Sequence, residues 1–240
     1  MDLEVDPVGM TMTVEAGAVL AAVQQAAAAA DCLFPLSLSS EGSAQIGGLI
    51  GTNAGGNTTL RYGNMREQVL GLEVVLADGS VLDLMRRLRK DNTGYALRQL
   101  FIGAEGTLGV VTRAVLRLMP RPRDIQAAFV ALPSVEAAVG LLNRFQRLDG
   151  DSLAAFEYMA RFGIELVLRH IPDVKDPLAQ RHQHYALVEL ASPRPDADLR
   201  GALEGVLARA MEEGLVLDAA IAESETQRLA LWRIREDRKS

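Results

Sequence analysis

The sequence predicts an α+β chain in two parts, and three observations carry that reading. The run VLGLEVVLADGSVLDL (69–84) sets two apolar β-runs around Asp78-Gly79, a dipeptide suited to the left-handed backbone of a tight hairpin turn. From Ile125 onward, strand-like and helix-like patterns alternate. Between these regions Pro120 and Pro122, with Arg121 and Arg123 around them, interrupt the pattern. The parts are expected as residues 1–122 and 123–240.

Within the first part, TMTVE (11–15) alternates as a short strand, and Ala16-Gly17 turns into an Ala-rich helix reaching about Asp31. A glycine-rich stretch and the hairpin follow. DNTGY (91–95) reads as a structured loop, Leu97 to Phe101 as a short helix, and Val110 to Leu118 as a strand entered through GAEGTLG. In the second part the elements are IQAAFVAL, SVEAAVGLLNRFQRL with Ser134 as its N-cap, LAAFEYM, a helix near Ile164 to His170, HYALVELA, DADLRGALEGVLARAMEEG, LVLDAAIA and ETQRLALWRIRED. Two βαβ units joined by an extra helix make a ferredoxin-like α+β sandwich.

Composition narrows the function classes. With 49% hydrophobic and 23% charged residues the chain is that of a packed globular protein. Its net charge of −6, and the lack of basic runs interleaved with aromatics, argue against a nucleic-acid partner. The single Cys32 excludes an internal disulfide and fits a small buried residue in a reducing compartment. No apolar run is long enough for a transmembrane segment, no signal peptide is evident, and the expected address is cytoplasmic. His182 and His184 flank Gln183 before a strand that would put both rings on one face, but no acidic cluster accompanies them, and no metal is assigned.

Of the 21 glycines, Gly42, Gly47, Gly48, Gly51, Gly55, Gly56 and Gly63 crowd into SAQIGGLIGTNAGGNTTLRYG and its edge. Bare backbone permits unusual torsions and the close approach of another molecule. Neither the Gly-x-Gly-x-x-Gly fingerprint nor a phosphate-binding P-loop is present, so a different nucleotide fold is required. A second cluster, GAEGTLGVVT, spans residues 103–112.

These segments, together with the hairpin and RKDNTGY, resemble the flavin-binding domain of the D-2-hydroxyacid dehydrogenases, which act on D-2-hydroxyglutarate, glycolate or D-lactate. That family lies within the vanillyl-alcohol oxidase and p-cresol methylhydroxylase (PCMH) superfamily. The resemblance continues more loosely through AAFEYM, YALVELA and LWRIRE. It implies the second part of a PCMH-type FAD-binding domain at residues 1–122 and a partial ferredoxin-like substrate (cap) domain at 123–240. It also implies FAD as cofactor, oxidation of a small 2-hydroxy acid to the 2-oxo acid, and an unidentified electron acceptor. By resemblance Gly42, Ser43, Ile46, Gly47, Gly48, Thr52, Asn53, Ala54, Gly55 and Gly56 line the FAD groove, with Glu105, Gly106, Gly109 and Val110 beside it. Short side chains there bring amide donors to a diphosphate and let a flat ring pack on backbone. Arg235, the second arginine of WRIRE, is where the family places the group that grips the substrate carboxylate. On a helix Arg228, Trp232 and Arg235 share one face, so Trp232 is expected to pack beneath the guanidinium. From the residues alone Arg235 is one more charge on an amphipathic helix.

The family pattern also includes an upstream glycine-rich loop and downstream His and Glu-His segments that hold a zinc-like divalent metal and supply the base. Neither occurs here, and the pattern is lost at Arg238-Lys239-Ser240, which a fragment, a truncated gene product or a shifted reading frame would each explain. Two other readings stay open: a non-catalytic flavin-binding remnant or scaffold, and an α/β interaction domain without cofactor. The oligomeric state is open as well, with a homodimer the assembly to test.

Overall fold

The computed structural model describes residues 3–148 and 151–236, so the expected break at Arg238-Lys239-Ser240 lies outside the described residues. Two compact units divide between Arg121 and Pro122.

Unit 1 is built on an antiparallel sheet of β1 (Leu3–Asp6), β2 (Thr11–Glu15), β4 (Val69–Val75), β5 (Val81–Leu84) and β6 (Val110–Arg117), in the order β1-β2-β6-β4-β5. A small pair, β3 (Cys32–Leu33) with β7 (Met119–Pro120), joins its far end. The hairpin forms as its sequence dictates, with Val75 opposite Val81 and Gly79 at φ 83°. Helix α1 (Leu20–Ala29) turns Leu20, Val23 and Ala27 inward on one face. They meet Met12 and Val14 of β2, Leu72 and Val74 of β4, and Ala114 and Leu116 of β6. Cys32 is buried, and burial pushes its thiol pKa up.

Short helices fill the connections: α2 (Ile46–Gly51), α3 (Thr59–Tyr62), α4 (Met65–Gln68) and α5 (Arg98–Phe101). The first of these sits inside the glycine stretch, where propensity argues against helix. Tertiary contacts override it. Ile46, Leu49 and Ile50 enter the core, and the amides of Ile46 and Gly47 donate to the carbonyls of Ala18 (2.9 Å) and Ala16 (2.7 Å).

Unit 2 is an antiparallel sheet of β8 (Asp124–Leu132), β9 (Leu153–Ala160), β10 (His184–Ser192) and β11 (Asp218–Ile221), ordered β11-β8-β10-β9. In chain order this is 4-1-3-2, the arrangement of a ferredoxin-like sandwich. Helices α6 (Val135–Leu148) and α8 (Leu199–Glu212) provide the two crossovers. The α6 helix opens with Ser134 Oγ accepting the Ala137 amide at 3.2 Å, which supplies the cap. Strict alternation along β8 sends Ala128, Val130 and Leu132 to these helices, where Leu141, Phe145, Leu203 and Leu207 meet them. The opposite residues Ala127, Phe129 and Ala131 face α7 (Arg161–His170) and α9 (Glu225–Glu236), so the sheet is covered on both faces.

That second cover is fastened by charge as well as by apolar contact. From β10, Glu189 accepts from Arg228 Nη1 (2.7 Å) and from Trp232 Nε1 (2.6 Å) of α9. Arg161, at the start of α7, donates to Asp176 (2.6 Å), Glu165 (3.0 Å) and the Tyr185 hydroxyl (2.9 Å).

Hydrogen bonds from arginine hold three carboxyls of unit 2 below the usual carboxylate range: Glu165 by Arg161, Glu213 by Arg144 and Glu225 by Arg228. A depressed folded pKa contributes stability that is present above the unfolded value and lost as pH falls through the folded one. The Tm of unit 2 is therefore expected to stay level from neutral pH down to about 5 and to fall below about 4.5. A Tm that rises on acidification through that range contradicts the assignment.

Candidate functional site

The two glycine clusters, distant in sequence, meet at one cleft of about 340 Å³. Gly47, Gly48, Gly51 and Thr52 form one wall, and Phe101, Glu105, Gly106, Gly109, Val110 and Val111 form the other. Two main-chain bonds hang the second wall from the end of α2: Gly103 N–H to Ile50 O (3.0 Å) and Glu105 N–H to Gly51 O (2.9 Å). Consecutive left-handed residues, Glu105 (φ 50°) and Gly106 (φ 78°), then turn the chain along the cleft toward β6.

Side-chain volume explains why this wall is bare. A Cβ at Gly48 or Gly106 would meet nothing within 4 Å, so both present open main chain. Thr52 folds its hydroxyl back onto Gly48 O at 3.0 Å and keeps its bulk low. On the first wall, three glycines and one small hydroxyl suit a flat ligand laid against backbone.

The other expected groove residues are placed differently. Ile46 is fully buried in the core, so any part it takes in binding is through its main chain. Asn53 adopts φ 49° and its Oδ1 accepts the Arg66 amide at 2.9 Å, while Ala54 packs against the core. Gly55 and Gly56 are bare for internal reasons: a Cβ would come within 2.5 Å of Asn64 Oδ1 at the first and 2.1 Å of Ser37 O at the second. Gly42 and Ser43 lie in the loop before α2, where Ser43 Oγ donates to Ser40 O at 3.4 Å. The structure adds Gly51, Phe101 and Val111 to the cleft, and places Arg66 behind its second wall. Gly51 and Val111 stood within the two conspicuous clusters, but nothing local marked Phe101 or Arg66.

Outside this cleft, Asp91 accepts from the Thr93 amide at 3.1 Å and from its hydroxyl, which accounts for DNTGY as a self-bonded loop. In unit 2, Arg235 donates through Nε to Glu157 of β9, and both side chains are mostly buried. Trp232 is not beneath that guanidinium in the described contacts; it is committed to Glu189. The two histidines take separate partners. His184 Nδ1 lies 2.6 Å from the Tyr158 hydroxyl, and His182 donates its main-chain N–H to the Tyr185 hydroxyl at 2.7 Å. Among the described residues no group of three His, Cys, Asp or Glu is arranged to hold a metal, and no helix is long and apolar enough to cross a membrane.

Family comparison identifies both units. Residues 2–85 match the FAD binding domain model, and residues 121–240 match the model for the C-terminal domain of FAD linked oxidases. The chain belongs to the FAD-linked oxidase family. It is 39% identical over 98% of its length to a mitochondrial D-2-hydroxyglutarate dehydrogenase of Arabidopsis thaliana, and 41% identical over 92% to that of Bos taurus. It spans 42% and 40% of those proteins, less than half of each. Among solved structures, alkyldihydroxyacetonephosphate synthase superposes with a TM-score of 0.74 at 17% identity, covering 97% of this chain and 43% of that one, which fixes the fold. The relatives correct one expectation. They are named as mitochondrial proteins, and the cytoplasmic address read from the sequence is withdrawn.

FAD is thus the cofactor of this family, and this cleft is the candidate place for it in unit 1. Gly47, Gly48, Gly51 and Thr52 would hold it from one side, and Glu105, Gly106, Gly109 and Val110 from the other.

Proposed function

We propose that this chain carries the central part of a flavin-dependent dehydrogenase that oxidises a D-2-hydroxy acid, D-2-hydroxyglutarate foremost, to the 2-oxo acid. The observation that supports this most directly is the convergence of both glycine clusters on one backbone-lined cleft in a chain of the FAD-linked oxidase family. FAD, when bound, accepts the hydride released from the substrate C2. The cleft's main chain would orient the cofactor.

Arg235 is proposed to grip the carboxylate next to C2. Its described hydrogen bond uses Nε, so among the described residues the two Nη groups are left for a carboxylate to take in parallel. Glu157 then fixes the plane of the guanidinium. The hydroxyl proton needs a base, and the two electrons need an acceptor beyond the flavin; both are expected from outside the described residues.

The test is titration of FAD into the purified protein, read by flavin fluorescence. Weak saturable binding is expected, and Gly48→Val should reduce it further by about tenfold or more, because a Cβ there meets nothing of the fold within 4 Å and would project into the cleft. Equal affinity in that variant, or no saturable binding to the unaltered protein, removes the reading.

A further inference from the structure

Arg66 belongs to α4, a helix of four residues that cannot persist without tertiary support. Its main-chain N–H donates to Asn53 Oδ1 at 2.9 Å, which ties it to the turn that ends the first glycine wall. Its guanidinium reaches the other way. Nη1 donates to Gln99 O (2.9 Å) and Gln99 Oε1 (2.6 Å), and Nη2 donates to Ile102 O (2.5 Å). Those carbonyls close the end of α5, where helical partners run out. The next residue, Gly103, begins the second wall, and a Cβ there would sit 3.6 Å from Arg66 Nη2.

Each of these acceptors is neutral. Among the described residues Arg66 has no carboxylate partner, so nothing in its surroundings explains it as half of an ion pair. What the guanidinium offers is a rigid fork with donors pointing to two places at once, which a lysine ammonium cannot reproduce.

We propose that Arg66 is a positioning residue of the cofactor cleft. It pins residues 99–102 against the Asn53 turn, and so sets where Gly103 and Glu105 meet Ile50 and Gly51 and where Glu105 to Val110 face Gly48. The inference rests on reading the cleft as the FAD site. It goes beyond that reading in naming a residue outside the cleft lining that decides whether the two walls stand at binding distance.

The competing account is that Arg66 stabilises unit 1 as a whole. Native-state hydrogen exchange on the cofactor-free protein separates the two. In Arg66→Lys and Arg66→Met, the Gly103 and Glu105 amides are expected to lose about tenfold or more of their protection, while Leu72 and Val74 of β4 stay within about twofold. FAD affinity should fall by about tenfold or more in both variants, the lysine included, because the fork and not the charge is what is lost. Protection of Gly103 and Glu105 unchanged in the methionine variant overturns the proposal. So does an equal loss across β4, or a loosened wall with unaltered FAD affinity. Should the unaltered protein bind no FAD, the flavin reading fails by itself, and the exchange data still decide whether Arg66 holds the second wall.

Discussion

On the proposed reading, replacing Arg235 with lysine in the complete enzyme is expected to lower kcat/KM for a D-2-hydroxy acid by about a hundredfold or more, with flavin content unchanged. Every 2-hydroxy acid carries a carboxylate beside the reacting carbon, and two parallel hydrogen bonds from one guanidinium fix both its distance and its plane. Lysine keeps the charge and loses that second constraint. The pairing of Arg235 with Glu157 sharpens the expectation. A half-neutralised cation binds an anion less strongly through charge alone, so orientation carries more of the effect. Steady-state kinetics on the variant, alongside flavin absorbance, decide it. Near-normal turnover with full flavin content leaves Arg235 as a fastening of α9 to the sheet.

Gly56→Ala should be strongly destabilising in unit 1, costing about 3 kcal/mol or more. A Cβ at this position would lie 2.1 Å from Ser37 O, 2.9 Å from Ser37 C and 3.1 Å from Ser37 N. All three are backbone atoms, so no rotamer change relieves the overlap, and one of the two chain segments must move. Movement there also disturbs the Gly56 amide, which donates to Thr59 Oγ1 at 2.9 Å, and the Asn57 amide, which donates to Ser37 O at 3.1 Å. Urea unfolding followed by circular dichroism measures the cost. A loss under about 1 kcal/mol means the segment yields easily and the clash argument fails.

What the sequence made legible follows from which signals are local. The Asp78-Gly79 hairpin and the alternation of β8, α6, β9, β10 and α8 are written in runs of a few residues, and apolar periodicity alone assigns their faces. The α2 helix was hidden because IGGLIG carries three glycines, and the carbonyls that accept its first amides belong to Ala16 and Ala18, far back in the chain. The short strands β1, β3 and β7 exist only through their partners.

The candidate site divides in the same way. Glycine crowding pointed to bare backbone, but a glycine facing open space and one facing a neighbouring chain segment look identical in sequence. Gly48 and Gly56 differ only in what stands opposite them: open space for the first and Ser37 for the second. Arg66 and Glu157 were missed for a related reason. Each acts on a partner far along the chain, Ile102 for one and Arg235 for the other, and no local pattern announces such pairs.

The hydrogen bond between Trp232 and Glu189 has a practical consequence for optical work on this protein. Trp232 is the chain's one tryptophan, it is 7% exposed, and it lies in unit 2 with its indole nitrogen committed to a carboxylate. Intrinsic emission excited at the red edge of the absorption band therefore reports the packing of α9 on its sheet. Release of α9 would expose the indole to water and shift that emission to longer wavelength, giving a built-in marker for the helix that carries Arg235 with no label attached.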